Sequence, residues 1–172
     1  WTDRNTCVLF GDGAGAVVLS EVKAGYGILS IDLGSDGSGG EFLKIPAGGT
    51  RVPTTEQTVS DRQHYLYMNG SEVFKFAIKV MGEAAVKALD AAGLDHHSVN
   101  CLIPHQANIR IIQSAAKRLK LPMEKVMVNV DKYGNTSAAS IPLALEEALK
   151  SCRIQQDDIV VLVGFGAGLT WG

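Results

Sequence analysis

Several things are scarce or missing in this chain. No run among its 172 residues approaches the roughly 18 consecutive apolar residues of a membrane-spanning helix. There is no basic excess. Sixteen Lys and Arg stand against 18 Asp and Glu, for a net charge of −2 and a pI near 6.1, which argues against a nucleic-acid binder. Cysteine is limited to Cys7, Cys101 and Cys152, an odd count without framework spacing. Two of the three sit in apolar runs, so a reduced, cytoplasmic protein is expected. Metal-ligating clusters are missing too. His96 and His97 are adjacent and cannot share a face, and His64 lies in a long loop. Gly11-Asp12-Gly13-Ala14-Gly15 lacks the Lys-Ser/Thr of a phosphate loop and follows a strand-like run without opening a helix. The opening Trp1-Thr2-Asp3-Arg4-Asn5 reads as neither a signal peptide nor a natural beginning.

What is present is a sizeable apolar fraction, 46%, enough to bury a core. Cys7 to Phe10, Ala14 to Leu19 and Tyr26 to Leu33 read as strands. From Gly34 to about Gln63 there is no periodicity, and a long excursion rich in Gly, Ser, Thr and Pro is expected. Asn69-Gly70-Ser71 then caps a helix whose apolar stripe runs from Val73 to Leu89 and which ends at Gly93. Beyond it the pattern predicts a strand (about 99–104), helix (about 107–119), strand (about 126–130), helix (about 137–150) and strand (Ile159 to Val163). Pro142 fits the first turn of the last helix. Such alternation calls for a mostly parallel sheet in an α/β fold. Ile109, Ile112, Ala116 and Leu119 are expected to share the inward face of the second of these helices.

Two turns concentrate the chemistry. Pro104-His105-Gln106-Ala107-Asn108-Ile109-Arg110 links a strand to a helix, and Tyr133-Gly134-Asn135-Thr136-Ser137-Ala138-Ala139-Ser140 has the same setting. If both strands belong to one parallel sheet, both turns open on its carboxyl edge, where open α/β sheets bind ligands. His105 and Asn135 would then meet over one pocket. A histidine before a helix amino end is disfavoured as imidazolium. A neutral imidazole and an amide are two donors suited to a developing enolate or oxyanion. Taken singly, His105 also reads as a structural strand-end residue and Asn135 as a turn or cap residue. Arg110, Lys117 and Lys120, with Arg118 beside them, form either a solvated face or a docking patch for an acidic partner.

Together with Phe165-Gly166-Ala167-Gly168, these two turns closely resemble β-ketoacyl-acyl carrier protein synthase III, from about Asn5 to the end. The resemblance implies a thiolase-like α/β fold of two similar halves. This chain would hold the last strands of the first half and the second βαβαβαββ half. Residues 1–68 would be the end of the first half and a connecting loop, and 69–172 the carboxy-terminal half. It also implies an acyltransferase that loads an acyl-CoA primer onto a cysteine and joins it to malonyl-acyl carrier protein with loss of carbon dioxide. No resident cofactor is implied, and the nucleophilic cysteine would lie in an amino-terminal part outside this chain, so the chain alone would be inactive. His105 and Asn135 match the pair that holds the malonyl thioester carbonyl. Gln106, Ala107, Asn108, Ile109 and Arg110 match the carrier-docking segment. Gly70, Phe74, Ala107 and Asn108 match positions near the pantetheine arm of CoA or carrier. Phe165 matches a gating aromatic, and the backbone N–H of Ala167 an oxyanion donor. Members are cytoplasmic homodimers. A related condensing enzyme of polyketide, quinolone or hydroxymethylglutaryl-CoA metabolism, or a non-catalytic carrier-binding or dimerisation module, are the alternatives.

Overall fold

The computed structural model describes residues 1–172. Its elements run β1 (Gly34–Ser35), β2 (Leu43–Lys44), α1 (Glu56–Ser60), β3 (Tyr67–Met68), α2 (Gly70–Ala91), β4 (Cys101–Pro104), α3 (Ile109–Arg118), α4 (Val130–Tyr133), α5 (Ser140–Lys150), β5 (Val160–Val163), β6 (Phe165–Gly166) and β7 (Thr170–Trp171). The helix α2 begins where its cap predicts, because Asn69 Oδ1 accepts the Glu72 N–H and so satisfies one free amino-end donor. It ends where Gly93 takes a left-handed φ of 69°.

The functional end of the molecule is built around β4. It pairs in parallel with β5, Cys101 opposite Val160 through Pro104 opposite Val163. On its other edge Leu102 bridges Val126 in parallel, and Met127 N–H donates to Leu102 O at 2.9 Å. From β4 the chain thus crosses by α3 to one side and returns by α5 to the other. That places β4 at a reversal of strand order, the point where an open sheet leaves a crevice at its carboxyl end.

All four residues of β4 are buried, as expected for a parallel strand covered on both faces. Leu102 joins Met81, Ala84, Ile112, Ala115 and Val161 in the larger core, under α2 and α3. Cys101 and Ile103 point the other way and pack with Met127, Ala144 and Ala148 of α5. The alternation along one strand therefore defines three layers: helices, sheet, helix.

Three expectations need correction. The runs 7–10, 14–19 and 26–33 form no regular strands; only Phe10 bridges Asn135. They are β-prone, but a strand exists through a hydrogen-bonded neighbour, and this chain supplies none for them. Their side chains stay largely exposed, Val18 at 96%. The 126–130 run keeps one bridge and then turns into α4. On α3 the buried face is Ile111, Ile112, Ala115 and Ala116, whereas Ile109 is 40% exposed. Ile109 is the first helical residue after the Asn108 cap, so its side chain projects past the helix end and escapes the core. The long excursion from Gly34 is partly ordered, by a 3₁₀ segment at Gly37–Phe42 and by the antiparallel pair β2–β3.

Candidate active site

A cavity of about 1020 Å³ opens at the carboxyl end of β4. His105 and Asn135 both line it, as do Gly70, Phe74, Ala107, Asn108, Phe165 and Ala167. The sheet topology explains the convergence. His105 follows β4, Phe165 follows β5, and Asn135 follows the stretch paired to the far edge of β4. Gly70 and Phe74 come from the start of α2, which covers that end.

His105 is 9% exposed. Its backbone N–H donates to Val163 O at 2.8 Å, tying it to β5. Its Nδ1 lies 2.6 Å from Ser140 Oγ, and the ring of Phe165 meets it edge-on with centroids 5.4 Å apart. Burial disfavours the charged imidazolium and lowers the pKa from 6.5 to about 4. His105 is therefore neutral near pH 7, through its burial, and Nε2 makes no hydrogen bond within the chain.

Asn135 is fixed by its backbone and by its own side chain. Its N–H donates to Leu9 O and its carbonyl accepts the Gly11 N–H, each at 2.9 Å. The turn before it needs Gly134 at φ 70°, and a Cβ on Gly11 would collide with the Tyr133 carbonyl oxygen. Asn135 Oδ1 accepts the Ser137 N–H at 2.9 Å, which sets which end of the amide is which. The NH₂ end donates to nothing within the chain. Both residues line the cavity, and neither His105 Nε2 nor the Asn135 amide nitrogen has a partner within the chain.

The 106–110 segment divides. Ala107 and Asn108 line the cavity, although Asn108 Oδ1 also caps α3 by accepting the Arg110 N–H at 2.8 Å. Ile109 and Arg110 are exposed outside it. Gln106 does not fit the docking role expected of it, because it is 1% exposed with every side-chain partner internal. Its Nε2 donates to Pro104 O (2.8 Å) and Met127 O (3.1 Å), and its Oε1 accepts the Asn129 N–H (2.9 Å). It bridges β4 to the stretch leading to Asn135, replacing ladder bonds that the shortened 126–130 strand does not make.

Sequence reasoning missed Ser140 and Trp171. Ser140 ends the Tyr133–Ser140 stretch, but nothing in the sequence says that it faces His105. Trp171 lines the cavity and packs on Phe76 with centroids 5.8 Å apart. None of the three cysteines lines the cavity. Cys101 is buried on the α5 side, where desolvation raises its thiol pKa.

Comparison with known proteins gives the family. Residues 89–172 match the family described as 3-oxoacyl-[acyl-carrier-protein (ACP)] synthase III C terminal, and residues 1–37 match 3-oxoacyl-[acyl-carrier-protein (ACP)] synthase III. The β-ketoacyl-[acyl-carrier-protein] synthase III of Desulfitobacterium hafniense strain Y51 is 59% identical over 172 residues, all of this chain and 52% of the relative. Among solved structures, the synthase III of Thermus thermophilus superposes with a TM-score of 0.86 at 51% identity, over 98% of this chain and 51% of that one. The synthase III of Pseudomonas aeruginosa PAO1 gives 0.87 at 42% identity, over 99% and 50%. The mixed α/β fold seen here is therefore that of about half of each of those molecules. The chain belongs to the β-ketoacyl-acyl carrier protein synthase III family and spans about half the length of the relatives it matches.

Proposed function

We propose that this chain supplies the enolate-stabilising half of a synthase III active site. The observation that carries the reading is that His105, neutral near pH 7, and Asn135 line one cavity with His105 Nε2 and the Asn135 amide nitrogen unpaired within the chain. In the complete protein an acyl-CoA primer acylates a cysteine outside this chain, with CoA thiol leaving. Malonyl-acyl carrier protein then enters with its thioester carbonyl oxygen between His105 and Asn135. When the bond to the carboxylate breaks, carbon dioxide leaves and its electron pair moves through the α-carbon to that oxygen. The two donors stabilise the charge, and because neither is ionised neither protonates the enolate irreversibly. The α-carbon then attacks the acyl thioester and expels the cysteine thiolate.

The same reading places Gly70, Phe74, Ala107 and Asn108, which line the cavity, along the phosphopantetheine arm. Phe165, edge-on to His105, closes the primer side. The Ala167 N–H serves the oxyanion of the acylation step. The carrier protein is acidic in this reading and docks on Ile109 and Arg110, with Lys117, Arg118 and Lys120 alongside. These four cations are exposed and make none of the ion pairs in the structure. The proposed setting is a cytoplasmic homodimer with the duplicated thiolase-like fold. The reading is tested by separating the half-reactions: variants at His105 and Asn135 should lose carbon dioxide release and keep cysteine acylation.

A further inference from the structure

We propose that Ser140 is a positioning residue that fixes His105 as the tautomer carrying its proton on Nε2. An imidazole can serve as a donor at the cavity through Nε2 only if Nδ1 is the unprotonated nitrogen, and the hydrogen bond at Nδ1 decides this. The partner there is Ser140 Oγ at 2.6 Å. Which of the two donates follows from the other bonds of that hydroxyl. The backbone N–H of Gln106, which can only donate, reaches the same oxygen at 3.3 Å. Ser140 Oγ thus already accepts one hydrogen bond. Its own proton needs an acceptor, because the residue is 2% exposed and a buried hydroxyl is rarely left unpaired. No carbonyl takes it. Ser151, at the other end of α5, returns its Oγ to Glu147 O at 2.7 Å, but Ser140 makes no such bond. The remaining acceptor is His105 Nδ1. With the proton placed on Nδ1 instead, the oxygen would receive two N–H donors while its own O–H pointed into the interior without a partner.

Ser140 is well placed for this work. It is the first residue of α5 and closes the same turn that holds Asn135. One stretch therefore orients both donors: Ser137 N–H locks the Asn135 amide, and Ser140 Oγ locks the His105 ring. The proton assignment stands on geometry alone, whereas its use in catalysis rests on the decarboxylation reading above.

The experiment uses the full-length enzyme with ¹⁵N-labelled histidine, as wild type, Ser140→Ala and Ser140→Thr. The nitrogen shifts report the tautomer directly. Wild type and Ser140→Thr should show a pyridine-like Nδ1 and a protonated Nε2 for His105. Ser140→Ala should populate the Nδ1–H form. Its decarboxylation of malonyl-acyl carrier protein should fall by about 10- to 100-fold, the loss typical when the partner that orients a metal-bound histidine is removed. The Thr variant should recover most of that, and all three should retain cysteine acylation, which also shows that they are folded. A proton on Nδ1 in the wild type, or a Ser140→Ala enzyme with unchanged tautomer and unchanged decarboxylation, overturns the proposal. A wild type with the expected tautomer that releases no carbon dioxide supports the proton assignment and refutes the decarboxylation reading instead.

Discussion

Gln106 Oε1 accepts the backbone N–H of Asn129 at 2.9 Å, so the residue after His105 is bolted to the segment that leads to Asn135. The distance between the two donor-bearing turns is thus set by a buried side chain that never reaches the cavity. Gln106→Ala leaves the Asn129 N–H and two carbonyl oxygens without their partner. Unsatisfied buried groups cost about 1–3 kcal/mol each, partly relieved by relaxation, so a loss of about 2–4 kcal/mol is expected. Urea unfolding of the full-length protein measures it. Unchanged stability with a raised KM for carrier protein would return Gln106 to the docking surface.

Arg110 is exposed and free of ion pairs, and on the proposed reading it meets an acidic carrier. Arg110→Glu should raise the KM for malonyl-acyl carrier protein several-fold while leaving acyl transfer from CoA nearly unchanged. The effect should fade as salt rises, because exposed charges are screened beyond about 10 Å at 0.1 M salt. Steady-state rates for both half-reactions at low and high salt decide it. Equal, salt-independent losses in both would mean that Arg110 supports the α3 amino end.

The elements that were legible in the sequence are those whose signal is local. The α2 helix carries its own cap in Asn69, its own stripe and its own stop in Gly93. β4 is a short apolar run leading into Asn108, a cap for α3. Both chemical turns announce themselves by residue type. What was not legible depends on partners distant in sequence. The runs 7–10, 14–19 and 26–33 have strand composition but find no ladder here. Ile109 fits the helical period but stands at the helix end, where period no longer implies burial. Gln106 and Ser140 lie inside motifs that could be read, yet their roles come from Met127, Asn129 and the His105 ring, which only the fold brings near.

Burial of His105 has a consequence for stability. Its pKa is lowered in the folded state, from 6.5 to about 4. The unfolded chain therefore binds the extra proton first as pH falls. Stability is unaffected above about pH 6.5 and declines between 6.5 and 4, by about 3 kcal/mol at most from this group. Replacing His105 by Gln should flatten that part of the stability–pH curve. A wild type and His105→Gln pair with parallel curves between pH 6.5 and 4 would show that folding does not lower the His105 pKa.

Cys7, Cys101 and Cys152 all lie off the cavity wall, and Cys101 has a raised thiol pKa. The chain by itself, incubated with acetyl-CoA, should form no stoichiometric acyl adduct by intact mass. Acylation of any of the three would place the nucleophile within this chain.

The central claim is that His105 and Asn135 act on the malonyl thioester oxygen and on nothing earlier. The most direct test is to measure, in full-length His105→Ala and Asn135→Ala enzymes, labelled acetyl transfer to the protein alongside carbon dioxide release from malonyl-acyl carrier protein. Loss of one such donor typically costs about 10²–10³ in rate. Carbon dioxide release should therefore drop by that factor in each variant, with acetyl transfer within a few-fold of wild type. Asn135→Asp should be at least as slow as Asn135→Ala, because a carboxylate repels the enolate. Acetyl transfer lost as completely as carbon dioxide release, in either alanine variant, would contradict the two-donor account.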